Sequence, residues 1–233
     1  MPCPKGVLAP CDLVPTGPCY WDRDGQPRNP HLLPLLTAAS PSSGPALGGT
    51  RVILSGEWLG RARSCVFGEA DASSNISHHP RSREKRAECI APPRPALTPG
   101  AAARRVDLVL RLHDGSVCVE RTRAPFVYYA YNLTSAEPTL GPVRGVTRVE
   151  VFGSGFGSNG GRLGDMRCAF GEQSVVPRSY SPKRSSVVCE SPELHSGLPP
   201  GRATLDVPLR ISLNRGADYL GGPGESLRYT YAR

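Results

Sequence analysis

Apolar residues in this chain fall in short runs whose alternation has the period of a strand. Thr50-Arg-Val-Ile-Leu54 and Thr147-Arg-Val-Glu-Val-Phe152 are rich in β-branched residues and alternate in part, as a half-buried strand should. Val106–Leu112 alternates again and is followed by His113-Asp-Gly-Ser116 and Val117–Glu120, which predicts a hairpin turning at Asp-Gly. Sustained helical periodicity is hard to find anywhere along the sequence. Gly and Pro bound the runs, with 26 and 25 copies in 233 residues. That much turn chemistry implies many short strands joined by tight connections.

The runs occur twice. Residues 41–56 and 138–153 share Pro, Gly-Pro, Gly, Thr-Arg-Val and a final Gly at a constant offset of 97. Cys65-Val-Phe-Gly-Glu69 matches Cys168-Ala-Phe-Gly-Glu172 at an offset of 103, so the second copy carries six extra residues, placed in Ser158–Gly164. Cys89-Ile-Ala-Pro92 matches Cys189-Glu-Ser-Pro192, and Val106–Leu112 matches Leu205–Ile211. Each copy closes on a Tyr-bearing segment, Phe126–Tyr129 and Leu227–Tyr231. Landmarks that recur in one order mark a duplicated domain, each copy a predicted sandwich of about seven strands. Phe67 and Phe170 are expected to point inward, and Gly68 and Gly171 to take positive φ. Gly56 and Gly153 are expected to relax the backbone where a strand bends into a loop.

Pro-x-x-Gly-Pro-x-x-Gly-Gly-Thr-x-Val-x-Leu-x-Gly, followed by Cys-x-Phe-Gly, Cys-x-x-Pro and a terminal Phe-x-Tyr, resembles the IPT/TIG family. These are immunoglobulin-like domains of plexins, growth-factor receptors, surface proteins and some transcription factors. The resemblance covers roughly 37–130 and 131–232, about four-fifths of the chain. It departs from the family pattern in the second copy, where Val146 replaces the second Gly and Leu227 stands in place of the aromatic. The implied architecture is all-β: two tandem immunoglobulin-like sandwiches, 37–130 and 131–233, behind a Cys/Pro/Gly-rich extension, 1–36.

Eight cysteines are present. Cys65 and Cys89, and Cys168 and Cys189, recur at equivalent landmarks, which predicts one disulfide in each copy and an oxidising compartment. The alternative is buried free thiols in a reducing cell. Cys3, Cys11, Cys19 and Cys118 have no pairing that the sequence can choose. Asn75-Ile-Ser77 and Asn132-Leu-Thr134 are glycosylation sequons and favour the secretory route. No secretory leader is visible in the first residues, so an extracellular assignment implies a fragment of a larger chain. His31–Ala39 is too short and too Pro-broken to span a bilayer.

The net charge is +8, mostly Arg scattered over strands and loops as on a solvated surface. The densest run, His78–Arg86, offers Arg81, Arg83, Lys85 and Arg86 as a candidate anion-binding loop, although a solvated loop is the preferred reading. Gly153-Ser-Gly-Phe-Gly157 has no helix after it to cradle phosphate, and no triad surrounds it. A non-enzyme without cofactor or metal is therefore expected. The leading function is an extracellular or lumenal interaction module, a spacer presenting loops to a protein or glycan. Alternatives are a DNA-binding or dimerisation region of a transcription factor, or an accessory carbohydrate-binding domain with Trp21 and Trp58 as its candidate aromatics. The paired cysteines and the lack of a DNA-reading element argue against nucleic acid.

Overall fold

A computed structural model describes Tyr20, Gln26, Arg28, Asn29 and residues 33–68, 73–78, 85–94, 97–158, 161–219 and 227–233. Cys3, Cys11, Cys19, Trp21, Arg81 and Arg83 lie outside the described residues. No helix among those described is long and apolar enough to cross a membrane.

The chain is all-β. Among the described residues eighteen strands divide between the two sequence copies, nine in each rather than about seven, because several are two- or three-residue pieces. The first copy holds β1 (Leu35–Ser40), β2 (Ser43–Pro45), β3 (Arg51–Glu57), β4 (Ala62–Phe67), β5 (Ser73–Asn75), β6 (Ser77–His78), β7 (Arg86–Ile90), β8 (Arg104–Leu112) and β9 (Ala124–Tyr129). The second holds β10 (Asn132–Glu137), β11 (Leu140–Pro142), β12 (Arg148–Ser154), β13 (Arg167–Phe170), β14 (Gln173–Val175), β15 (Ser179–Ser181), β16 (Ser186–Glu190), β17 (Thr204–Ser212) and β18 (Leu227–Ala232). The sheets repeat: β1-β3-β7-β6 and β2-β9-β8-β4-β5 in the first copy, β10-β12-β16-β15 and β11-β18-β17-β13-β14 in the second.

Contacts group the chain into two units that are discontinuous in sequence. The first comprises Met1–Ser42, Arg51–Pro92 and Arg105–Phe126. The second comprises Ser43–Thr50, Pro93–Arg104 and Val127–Arg233.

Alternation decides what each strand buries. In β3, Val52 and Leu54 are fully buried while Arg51 and Ile53 face out; in β12, Val149 and Val151 are buried and Arg148 is exposed. Each such side chain contributes about 1.5–3 kcal/mol on leaving water. Phe67 meets Phe126 edge-on at 5.1 Å, and Phe170 meets Tyr229 at 5.0 Å with the same 84° interplanar angle. The terminal strand of the second copy has therefore kept its aromatic. Tyr229, two residues after Leu227, takes the position of Phe126, because an inward aromatic must oppose the Phe of Cys-x-Phe-Gly.

Two further expectations are corrected. Gly56 and Gly153 do not serve a loop bend. Each sits opposite a β-bulge, with Thr37 the extra residue between Leu36 and Ala38, and Thr134 the extra residue between Leu133 and Ser135. A Cβ on Gly56 would lie 1.9 Å from Leu35 O, and one on Gly153 would lie 2.1 Å from Asn132 O. Crowding by the neighbouring backbone requires glycine here. The arm after the Asp114-Gly115 turn is not a strand beyond a single bridge between Arg111 and Val117. Val119–Thr122 instead forms one helical turn, and Thr122 Oγ1 accepts from Leu110 N at 2.9 Å, doing what a strand carbonyl would have done.

The closing tyrosines set a pH limit. Burial pushes the Tyr128 hydroxyl up to about 12 against a smaller opposing effect of Arg94, and burial also raises Tyr129 and Tyr231. A phenol raised in the folded state leaves stability intact below its ordinary value near 10 and removes it as pH climbs through the folded value. Denaturant melts should be flat up to about pH 10 and weaken from there towards 12, with absorbance at 295 nm rising in the same window.

Candidate functional site

Cys65 on β4 is bonded to Cys89 on β7, and Cys168 on β13 to Cys189 on β16, with Cα separations of 6.4 and 6.2 Å. In both copies the bond joins one sheet to the other, and all four cysteines are buried. Cys118 is buried beside Leu33 and Leu112 and is also disulfide-bonded.

Asn75 lies in β5, its backbone paired with Ser64. Asn132 is exposed at the start of β10, and its Oδ1 accepts from Ser154 N at 3.0 Å and from Ser154 Oγ at 2.7 Å. This leaves Nδ2, the atom that would carry a glycan, without a hydrogen bond among the described residues. Of the basic run, Lys85 and Arg86 are adjacent exposed cations where β7 begins, and Lys85 O accepts from Gly56 N at 3.0 Å.

A surface site lies in the second unit, where three segments meet: 143–147, 175–178 and 190–194. The first begins as a tight turn in which Gly145 N donates to Pro142 O at 3.0 Å, as Gly48 N donates to Pro45 O at 2.9 Å in the first copy. Two successive residues then enter the left-handed region: Gly48 and Gly49 in one copy (φ +76° and +85°), Gly145 and Val146 in the other (+75° and +58°). A β-branched residue is seldom found there, because its Cβ crowds the backbone.

The loop is held firmly in place. Val146 N donates to Ser191 O and Ser191 N to Thr147 O, both at 2.8 Å, and Leu194 N donates to Val143 O at 2.8 Å. Tyr231 Oη donates to Pro192 O at 2.9 Å from beneath. Gly145 lies so close to this strap that a Cβ would sit 2.6 Å from Pro192 C. On the other flank, Arg178 N donates to Val188 O at 2.7 Å, and its guanidinium forks onto both Glu190 oxygens at 3.0 Å. The fork holds the Glu190 carboxyl below its usual range by direct hydrogen bonding, and raises Arg178 by the same contact.

Between the loops lies a cavity of about 410 Å³ bordered by Arg144, Val146, Val176, Arg178, Glu190 and Glu193. Val146 is 72% exposed and Val176 51%. Val146 is thus an aliphatic knob on a rigid loop, in a backbone conformation that disfavours it, with little of its surface buried in return. The sequence carried the signal, a Val where the repeat has Gly, without revealing that the side chain faces solvent. Replacing Val146 by Gly should raise the unfolding free energy by about 1 kcal/mol, since it removes strain and little packing. Urea melts of the two proteins check this.

No protein-family model matches the chain, and no curated protein matches it. Among solved structures it is similar to the plexin A4 full extracellular region, domains 1 to 10, with a TM-score of 0.44 and 18% identity over 84% of this chain. It is also similar to a second plexin A4 extracellular structure, domains 1 to 8, with a TM-score of 0.40 and 18% identity over 84% of this chain. A third likeness is to SGBP-B from a complex xyloglucan utilization locus in Bacteroides uniformis, with a TM-score of 0.30 and 15% identity over 85% of this chain. The chain spans 15% and 18% of the two plexin A4 chains and 48% of the SGBP-B chain.

Proposed function

We propose that this chain is a non-catalytic protein-interaction module of the cell surface or secretory lumen. It is built from two IPT/TIG-type repeats, 37–130 and 131–233, behind a cysteine-rich lead. The observation that carries this reading is the pair of buried disulfides at equivalent positions, each joining the two sheets of its sandwich. Such bonds form and persist in oxidising compartments and are rare in the cytosol and nucleus.

The contact surface of the module is the rigid three-loop pole around Val146. Its ligand is a partner protein presenting an aliphatic side chain to Val146 and Val176. A second copy of the chain is disfavoured, because two molecules each carrying +8 repel one another. Preformed loops avoid the ordering cost that weakens flexible interfaces.

The test is peptide mapping of protein alkylated in its native source. Peptides joining Cys65 to Cys89 and Cys168 to Cys189 are expected, together with a glycan-shifted peptide containing Asn132. Alkylated, unbridged cysteines at those four positions would overturn the secretory reading in favour of a nuclear or cytosolic one.

A further inference from the structure

A second cavity, of about 500 Å³, lies in the first unit, where Arg28, Asn29, Leu33 and Pro34, the 3-10 turn Leu59–Arg61 and the turn after β8 come together. This is within the ordinary size range of small-molecule sites. Its floor is apolar. Leu33 is 3% exposed and Leu112 6%, and both pack on buried Cys118. Its rim is polar: Arg28, Asn29, Arg61, His113 and Asp114, with two guanidinium groups against one carboxylate among the described residues.

The charges on this rim are not balanced. Asp114 is the sole carboxylate lining it among the described residues, and both of its oxygens are occupied. Oδ2 pairs with Arg28, while Oδ1 accepts from Ser116 N at 3.0 Å and from Ser116 Oγ at 2.8 Å. Arg28 Nη1 donates to Ser116 Oγ at 3.1 Å, so this guanidinium is fastened to the turn. Arg61 is exposed, as is His113, and neither makes an ion pair among the described residues. The Arg61 guanidinium and the His113 ring therefore line the cavity without an ion-pair partner among the described residues.

The turn that carries Arg61 is held in an uncommon way. Trp58 precedes it at φ +54°, half-buried, and Trp58 O accepts from Arg61 N at 3.1 Å. The second copy has Gly155 at the corresponding place, at φ +82°. A bulky residue in the left-handed region persists where its surroundings over-determine it, and such residues cluster at binding sites. Here the strained residue fixes the backbone from which Gly60 and Arg61 reach the cavity.

We infer that this cavity binds a saccharide bearing a carboxylate or sulfate group. The acidic group sits between Arg61 and His113, where charge-assisted hydrogen bonds are strongest. The C–H face of the sugar ring covers Leu33, Pro34 and Leu112. This site is separate from the Val146 pole in residues and in ligand chemistry, and stands or falls without it.

The test is a titration of the ¹⁵N-labelled full chain, followed by amide shifts. The probes are a heparin-derived sulfated disaccharide, glucuronate, neutral glucose and inorganic sulfate. Saturable shifts confined to residues 59–61 and 112–116 are expected with the two acidic sugars and not with glucose. Arg61→Ala and His113→Gln should each weaken binding about tenfold while leaving distant amides unmoved. Lys85→Ala with Arg86→Ala should leave it unchanged. Equal binding of glucose, or full reproduction of the shifts by sulfate alone, would overturn the acidic-saccharide assignment. So would sugar binding that Arg61→Ala and His113→Gln leave intact, or binding lost only on removing Lys85 and Arg86.

Discussion

Replacing Cys168 and Cys189 together by alanine should lower the unfolding free energy of the second unit by about 3 kcal/mol. The bond closes a loop of 21 residues, and the loop-closure model gives that magnitude for the entropy it removes from the unfolded chain. For a domain near 100 residues this corresponds to a fall in Tm of roughly 12–24 °C. Cys65 and Cys89 close a loop of 24 residues, so the same model sets the two losses within about 0.1 kcal/mol of each other. Calorimetry of both double variants checks the pair. A large inequality would mean that native packing around one bond, rather than chain entropy, carries its effect. Unchanged melting in both would remove the disulfides from the account of stability.

Gly153→Ala is expected to cost about 2–4 kcal/mol, in the range of severe overpacking. The new methyl would lie 2.1 Å from Asn132 O and 2.7 Å from Phe156 Cζ, and a carbonyl in a paired strand cannot rotate aside as a side-chain end can. Either β12 bends or β10 detaches, so hydrogen exchange of the β10 amides should accelerate along with the loss of stability. Gly56→Ala should behave alike, with β1 as the strand that loosens. Gly164→Ala is the control. It has open space around the added carbon and no left-handed backbone, and its effect should be near zero. A neutral Gly153→Ala would show that the bulge is more plastic than its geometry implies.

What the sequence made legible was whatever alternation and duplication encode. Val52 and Leu54, with Val149 and Val151, announced buried faces because strand side chains alternate with period two. The repeat of Cys-x-Phe-Gly located the inward Phe67 and Phe170. Alignment by likeness failed where chemistry was conserved in place but not in letter. Tyr229 stands in for Phe126, and Leu227 was a distraction two residues away. Thr122 escaped notice for a related reason, since a hydroxyl substituting for a strand carbonyl leaves no periodic trace. The bulges opposite Gly56 and Gly153 were invisible because a close approach depends on the neighbouring strand, not on the glycine's own φ. The loop pole and the Arg28–Asp114 cavity are made of residues far apart in the chain. Val146 could be seen as unusual, but only the fold says what surrounds it.

The bulge at Thr37 and its twin at Thr134 have a bearing on how the protein behaves when concentrated. β1 and β10 are the outer strands of their sheets, and a flat outer strand offers an unbroken row of amide and carbonyl groups to any passing chain. One extra residue in each row puts those groups out of step and increases the local twist. A foreign strand arriving there meets a ladder out of register, which disfavours edge-to-edge pairing. Two near-copies of one domain, always at high mutual concentration, are thereby kept from recruiting one another's edges.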